Sequence, residues 1–238
     1  MTNQQNIIKV LVGSRAHGLA DDNSDYDYRG VFLVPTETIL SLGSHTKNTN
    51  WVEGKEDDTS WELGHFLNLA THCNPTILEV FHAPVINTTP QGEILRGLFG
   101  AIWNKKDLVN AHVGYGLNQR KKFLENKDNR RSKYASAYLR TLYQAWSLLV
   151  RDIYPVSMTD TTIYSTLQRY RAGKYEVGEV IDTCLEWQAK VEAAAAAYGE
   201  KETELEAIND FLLEMRKDYW SDDGQKETKE ENTVGESR

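Results

Sequence analysis

The sequence predicts an α+β protein: a small mixed β-sheet with flanking helices over residues 1–100, an all-helical part over 101–220, and an acidic disordered tail over 221–238. Three observations carry this. Short β-branched apolar runs, bounded by Gly, Asp, Asn, Ser and Pro, concentrate in the first third of the chain. Beyond residue 105 apolar residues recur at helical spacing with few β-branched runs. Residues 221–238, SDDGQKETKEENTVGESR, hold no aromatic residue and a single aliphatic one, Val234.

Taken in order, residues 6–12 (NIIKVLV) form a buried strand, which Gly13-Ser14 breaks. RAHGLA follows as a short helical turn or loop, and Asp21-Asp22-Asn23-Ser24 is a cluster of turn formers. A second strand covers 25–34, with Pro35 closing it, and 47–56 is a further strand candidate. From about Asp58 the period becomes helical: Trp61, Leu63, Phe66, Leu67, Leu69 and Ala70 share a face, with Asp58, Thr59 or Ser60 as N-cap. Asn74-Pro75 ends that helix or begins the next element, and 77–85 (ILEVFHAPV) reads equally as strand or helix. Thr89-Pro90 opens a helix over GEILRGLF. Helices then occupy 106–126, 132–152, 160–172, 177–198 and 203–218.

At 238 residues, 40% hydrophobic and 26% charged, the chain has an ordinary globular composition and is long enough to bury a sizeable core. No apolar run approaches the roughly 18 residues of a membrane span, and MTNQQNIIKV lacks the features of a signal peptide. Cys73 and Cys184 suit neither a disulfide framework nor a zinc motif, so the cytoplasm is the expected location. A net charge of −8 argues against a broad nucleic-acid footprint. Between 120 and 133, however, Arg120, Lys121, Lys122, Lys127, Arg130, Arg131 and Lys133 outnumber Glu125 and Asp128. A phosphate grip and a solvated helix end explain that cluster equally well.

Residues 11–34 read LVGSRAHGLADDNSDYDYRGVFLV. In a strand alternate side chains share a face, so Asp25 and Asp27 project together with Cα atoms about 6.6 Å apart. Two ionised carboxylates so close repel unless a cation lies between them. Mg²⁺ takes oxygen ligands, commonly one or two carboxylates, and leaves positions for substrate phosphates. Two such ions, about 3.5–4 Å apart, activate a hydroxyl and stabilise a leaving pyrophosphate; Mn²⁺ is the alternative. Upstream, Gly13 lets backbone approach a phosphate, and Ser14 offers an N–H and a hydroxyl as donors at the strand end. Arg15 reads equally as a triphosphate contact and as a surface arginine. The outline is that of a phosphate-transfer site, with Asp25 and Asp27 as metal ligands and Gly13, Ser14 and Arg15 as the nucleotide contacts.

The pattern resembles the DNA polymerase β-like nucleotidyltransferase superfamily, whose signature is a Gly-Ser turn followed by an Asp-x-Asp strand. More narrowly it is similar to the predicted nucleotidyltransferases of the RNA-repair-pathway (RlaP or YcgL-like) family. Three motifs carry the likeness in order: GSRAHG at 13–18, SDYDYRGV at 24–31 and NPTILE at 74–79. Lys133 and Arg140 look like a family-type basic pair on a helix. The resemblance implies that 1–100 is the catalytic module and that an NMP group moves from an NTP to an acceptor hydroxyl, in RNA or tRNA. It implies two Mg²⁺ ions and a third carboxylate from a later strand. Asp58 is favoured for that role, as it lies beside a plausible strand end, ahead of Asp57, Glu62 and Glu53.

Around this centre, Arg29 shares the face of Asp25 and Asp27 and is expected to pair with them rather than to touch substrate. His17 is expected to be structural and Glu79 to be a buried, hydrogen-bonded carboxylate without a catalytic role. Tyr134, Tyr138 and Tyr143 read as core residues more than base-stacking ones. Two other functions compete. Phosphohydrolases with an aspartyl nucleophile place the first Asp at the end of a buried strand, whereas here the pair opens one. A catalytically silent, nucleotide-binding or antitoxin-type module is the remaining alternative.

Overall fold

The computed structural model describes residues 4–43, 47–52 and 57–220. The predicted tail at 221–238 and the candidate Glu53 lie outside them. Strand β1 (Gln5–Val12) runs into the short helix α1 (Gly13–Ala16), and β2 (Asp27–Leu33) returns antiparallel to β1. Helix α2 (Thr36–Leu40), strands β3 (Thr49–Val52) and β4 (Asp57–Glu62), helices α3 (Leu63–Thr71) and α4 (Pro75–His82) and strand β5 (Val85–Thr88) follow. The sheet order is β3-β4-β2-β1-β5, mixed because β4 runs parallel to β2 while the other neighbours are antiparallel.

A register shift in β1 between Asn6 and Ile8 buries Ile7 and Ile8 together. The Ile7 carbonyl then accepts from the Thr89 backbone N–H at 2.9 Å, and Thr89 caps the next helix, α5 (Pro90–Gly97), through its hydroxyl. Helix α5 lies so close to β1 that a Cβ at Gly92 would collide with the Ile7 carbonyl oxygen. Asn74 caps α4, accepting from the Thr76 N–H with Pro75 at the first helical position, so 77–82 is helical and the strand begins only at Val85.

One expected element changes type. Asp58, Thr59 and Ser60 are not an N-cap: they are paired on both sides, with β2 and with β3, inside β4. Two ladders outweigh a local capping preference, and the helix starts later, at Leu63, with the Glu62 carboxylate accepting from the Gly64 N–H at 2.8 Å. Strand β2 likewise opens at Asp27 rather than Asp25.

Helix α6 (Phe99–Ile102) leads to α7 (Lys105–Glu125), α8 (Arg131–Arg151), α9 (Tyr164–Arg171), α10 (Val177–Ala197) and α11 (Leu205–Asp218). From Lys105 onward every described element is a helix. Helix α8 is central, burying Tyr138, Leu142 and Tyr143, and α7 approaches it where Gly116 faces the Tyr138 ring. The apolar core is continuous, from Val10 and Phe66 under the sheet to Leu148 and Val180 among the helices. Helix α11 returns to the first third of the chain, where Arg216 pairs with Glu62 at 2.6 Å. Cys73 and Cys184 are buried and free. No described helix is long and apolar enough to cross a membrane.

Candidate active site

The Gly-Ser turn and the Asp-x-Asp segment meet because β1 and β2 are antiparallel neighbours: Val12, the last residue of β1, pairs with Asp27, the first of β2. Gly13 then turns the chain at φ 71°, in the left-handed region. The Asp27 carboxylate packs against its α-carbon, so closely that any Cβ at position 13 would strike Asp27 Oδ2. The positive φ favours glycine there, and any other residue would also push the Asp27 carboxylate from its place.

The segment between the two motifs is tied down from several sides. The Ser24 hydroxyl donates to Asp21 Oδ1 and accepts from the Asp21 N–H, closing the turn that delivers Asp25. The Arg15 guanidinium donates to the Ser24 carbonyl at 2.7 Å and 3.1 Å and lies 4.0 Å from the centre of the Tyr26 ring. Arg15 therefore braces the approach to the carboxylates and does not line the cleft, unlike Gly13 and Ser14. The helical part contributes too: the Met158 N–H donates to the His17 carbonyl at 3.1 Å, and the Tyr164 hydroxyl to the Gly18 carbonyl at 3.0 Å.

Above the turn opens a cleft of about 490 Å³. Gly13, Ser14, Asp25, Asp27 and Arg29 form the side belonging to the sheet, and α7, α8 and α9 form the other. The Arg29 guanidinium donates to the Tyr28 carbonyl at 2.7 Å. Of the expected basic cluster, Lys122, Arg130 and Lys133 border the cleft, and Arg171 joins them from α9. Arg171 was not legible in the sequence, being one of several exposed-looking basic residues at a helix end. Of the three tyrosines considered, Tyr138 and Tyr143 are core, while the half-buried Tyr134 faces the cleft.

Asp58 does not join Asp25 and Asp27 at the cleft. In the parallel ladder Asp58 is in register with Tyr28 and Asp57 with Asp27. Neighbours in register share a face and successive residues alternate, so Asp58 lies on the face opposite Asp27. There it pairs with Lys9 at 2.6 Å, and the Lys9 ammonium also sits 4.4 Å from the Tyr28 ring centre. Glu62 is committed to capping α3 and to Arg216. Of the candidates, position 57 is the one whose backbone is in register with Asp27.

At the base of the cleft, lining it, lies a buried polar knot. Glu79 of α4 accepts from Arg140 of α8, from Gln144 at 3.2 Å, and meets His17 at 3.2 Å. Burial alone would push the Glu79 carboxyl up, but Arg140, with His17 and Gln144, outweighs it and holds the group well below the usual carboxylate range. Burial, reinforced by Arg140, pushes the His17 pKa down. Farther along, His112 donates from Nδ1 to the Leu108 carbonyl and accepts at Nε2 from the Tyr154 hydroxyl, and burial lowers its pKa to about 4.

These directions predict acid sensitivity. Both histidines have folded pKa values below the unfolded 6.5, so the native state binds fewer protons than the unfolded chain once the pH falls below that value. Each is expected to remove about 1.4 kcal/mol of stability per pH unit, His112 down to about pH 4. Glu79 adds a loss in the same direction below its unfolded value of 4.5. Urea unfolding between pH 7.5 and pH 4.5 measures this; His112→Gln should flatten the profile, and an unchanged slope in that variant would contradict the assignment.

The chain matches the RlaP family, described as the RNA repair pathway DNA polymerase beta family, over residues 2–214. It is 23% identical over 240 aligned residues to the uncharacterized protein YcgL of Bacillus subtilis (strain 168), with 92% of each chain covered. An uncharacterized 38.9 kDa protein of Enterobacteria phage T4, from the nrdC-mobD intergenic region, is 30% identical over 86 residues, which span 33% of this chain and 26% of the phage protein. Among solved structures, a nucleotidyltransferase-like protein from Exiguobacterium sibiricum 255-15 superposes with a TM-score of 0.29 at 7% identity, covering 90% of this chain and 74% of its own.

Proposed function

Because the chain belongs to the RNA repair pathway DNA polymerase beta family, we propose that it transfers a nucleoside monophosphate from a nucleoside triphosphate to a hydroxyl of RNA. The acceptor oxygen bonds to the α-phosphorus, the bond from that phosphorus to the β-bridging oxygen breaks, pyrophosphate leaves, and the hydroxyl proton passes to a carboxylate. The observation that supports this best is the convergence of Asp25, Asp27 and the Gly13-Ser14 turn on one cleft.

The residues suit a divalent cation. Asp25 and Asp27 present hard oxygen donors of the kind a divalent cation takes, with its other positions left to phosphates and water. When bound, Mg²⁺ or Mn²⁺ polarises the phosphoryl oxygens and acidifies the attacking hydroxyl. Ser14 donates its N–H and hydroxyl to the triphosphate, Gly13 leaves room for that approach, and the braced 21–26 segment keeps the two carboxylates on the substrate side. The proton acceptor is assigned to Asp57, from its register with Asp27.

The test follows label from each α-labelled nucleoside triphosphate, with Mg²⁺ or Mn²⁺, onto total RNA. Label on one RNA class is expected with wild type. Asp57→Asn is expected to lower transfer by at least about a hundredfold, and Asp58→Asn to leave it within about threefold. Nucleotide binding without transfer to any acceptor would instead point to a silent, sensor-like or antitoxin-type module.

A further inference from the structure

Helices α7 and α8 lie side by side along the cleft, and their polarity changes with depth. At the mouth stand Lys122, Arg130 and Lys133, all exposed, with Arg171 from the end of α9 beside them. None of the four forms a side-chain hydrogen bond or ion pair with a described residue; Lys122 only lies 5.7 Å from the Tyr134 ring centre. Deeper in, the same two helices present Gln119, Ser136 and Thr141, all buried, beside Arg140, whose charge is taken up by Glu79. The Thr141 hydroxyl oxygen has no hydrogen-bond partner. An orphaned hydroxyl in the interior calls for a neutral polar ligand group, such as a sugar or base. The mouth calls for anions.

The cleft volume decides what kind of anion. About 490 Å³ is the size of a site for one small ligand. A single nucleotide, held against Ser14 and the carboxylates, takes up the interior, so the cations at the mouth face something that arrives from outside. In a chain of net charge −8, four cations at one opening without a direct ion-pair partner among the described residues, Arg171 and Arg130 sensing Asp21 and Asp128 only at longer range, form a local attractor and not a broad basic surface. The half-buried Tyr134 stands among them, its hydroxyl bonded to Asp128, offering a ring to an unpaired base. Cations interleaved with an aromatic ring are the chemistry of single-strand binding, where every base has a face to stack and every linkage a charge.

We propose that the rim formed by Lys122, Arg130, Lys133 and Arg171, with Tyr134, grips the terminal phosphates and one base of a single-stranded polynucleotide acceptor. It rests on the transferase reading and names the acceptor class for the same site.

The test is fluorescence anisotropy of a labelled single-stranded RNA of about ten nucleotides with the full chain and no nucleoside triphosphate present. A duplex of the same sequence and an acidic peptide of equal charge are the comparators. Three to four phosphate contacts predict a slope of log affinity against log salt of about −2 to −3. Lys133→Glu with Arg171→Glu is expected to weaken the single strand roughly a hundredfold. Tyr134→Ala should cost about tenfold and Tyr134→Phe little. Binding of a fluorescent nucleoside triphosphate should be unchanged in all three, and their melting temperatures should match wild type.

RNA affinity that survives the charge reversal overturns the proposal. So does a matching loss of triphosphate affinity, which would assign the cations to the nucleotide, or equal binding of the acidic peptide, which would favour a protein acceptor. Rim-dependent RNA binding in a protein that transfers nothing would instead overturn the transferase reading alone.

Discussion

Asp27→Asn is expected to abolish nucleotidyl transfer, by about a thousandfold or more, while the fold survives. The substitution keeps the shape of a side chain packed against Gly13 and removes only its charge. Asp27 sits at the first position of β2, held by backbone pairing to Val12 on one side and Asp57 on the other, and neither ladder depends on the carboxylate. Steady-state transfer and a thermal melt of the same preparation separate the two effects: activity should disappear and the melting temperature move by about 2 °C or less, which corresponds to under 1 kcal/mol for a chain of this size. A variant retaining a tenth of wild-type activity would place the chemistry elsewhere.

The largest effect on stability is expected from Arg140→Leu. That change leaves the Glu79 carboxylate buried without its cation, with only Gln144 and a neutral His17 for partners. Breaking one side of a buried pair costs about 3–5 kcal/mol, hence a fall in melting temperature on the order of 10 °C. Adding Glu79→Leu should recover much of the loss, since the uncompensated charge is then gone, and the double-mutant cycle isolates the coupling. The pH response is the sharper test. Without Arg140, burial is left to push the Glu79 carboxyl above its unfolded value, so its contribution is lost as pH rises, and the variant should gain on wild type as the pH falls toward 5. A purely steric role for Arg140 would show the stability loss without that inversion.

The knot matters to the site because of where its members come from. His17 follows the Gly13-Ser14 turn, Glu79 belongs to the NPTILE segment, and Arg140 and Gln144 lie on the central helix of the helical part. It joins the two walls of the cleft at their base. The Met158 and Tyr164 bonds to the carbonyls of His17 and Gly18 do the same at the turn itself. Weakening either should loosen the cleft before it unfolds the core.

Much of this was legible without coordinates, and the parts that were share a property. The Gly-Ser turn, the apolar strand after it, the Thr89-Pro90 helix start and the long helices are each specified by residues within a turn or two of one another, whereas Asp25 stands before β2 and not in it. Chain connectivity then makes β1 and β2 a pair, which suffices to bring Gly13 to Asp27. Strand β4 was not legible. Asp58-Thr59-Ser60 ahead of an apolar helical pattern satisfies every local rule for an N-cap, and only pairing to β2 and β3, on both sides, makes it a strand. That single misreading put Asp58 on the wrong side of the sheet, because a one-residue shift in a strand moves a side chain to the opposite face.

By itself, then, the sequence determined which groups meet at the cleft: two carboxylates and a Gly-Ser turn, written within fifteen residues because neighbouring strands can be encoded locally. Tertiary structure decided the surroundings. It set Asp57 and not Asp58 beside Asp27, turned Arg15 from substrate to scaffold, and carried Arg171 some 150 residues along the chain to the mouth of the cleft. Each of these depends on register or packing between distant segments, and such contacts leave no mark on the residues adjacent to them in sequence.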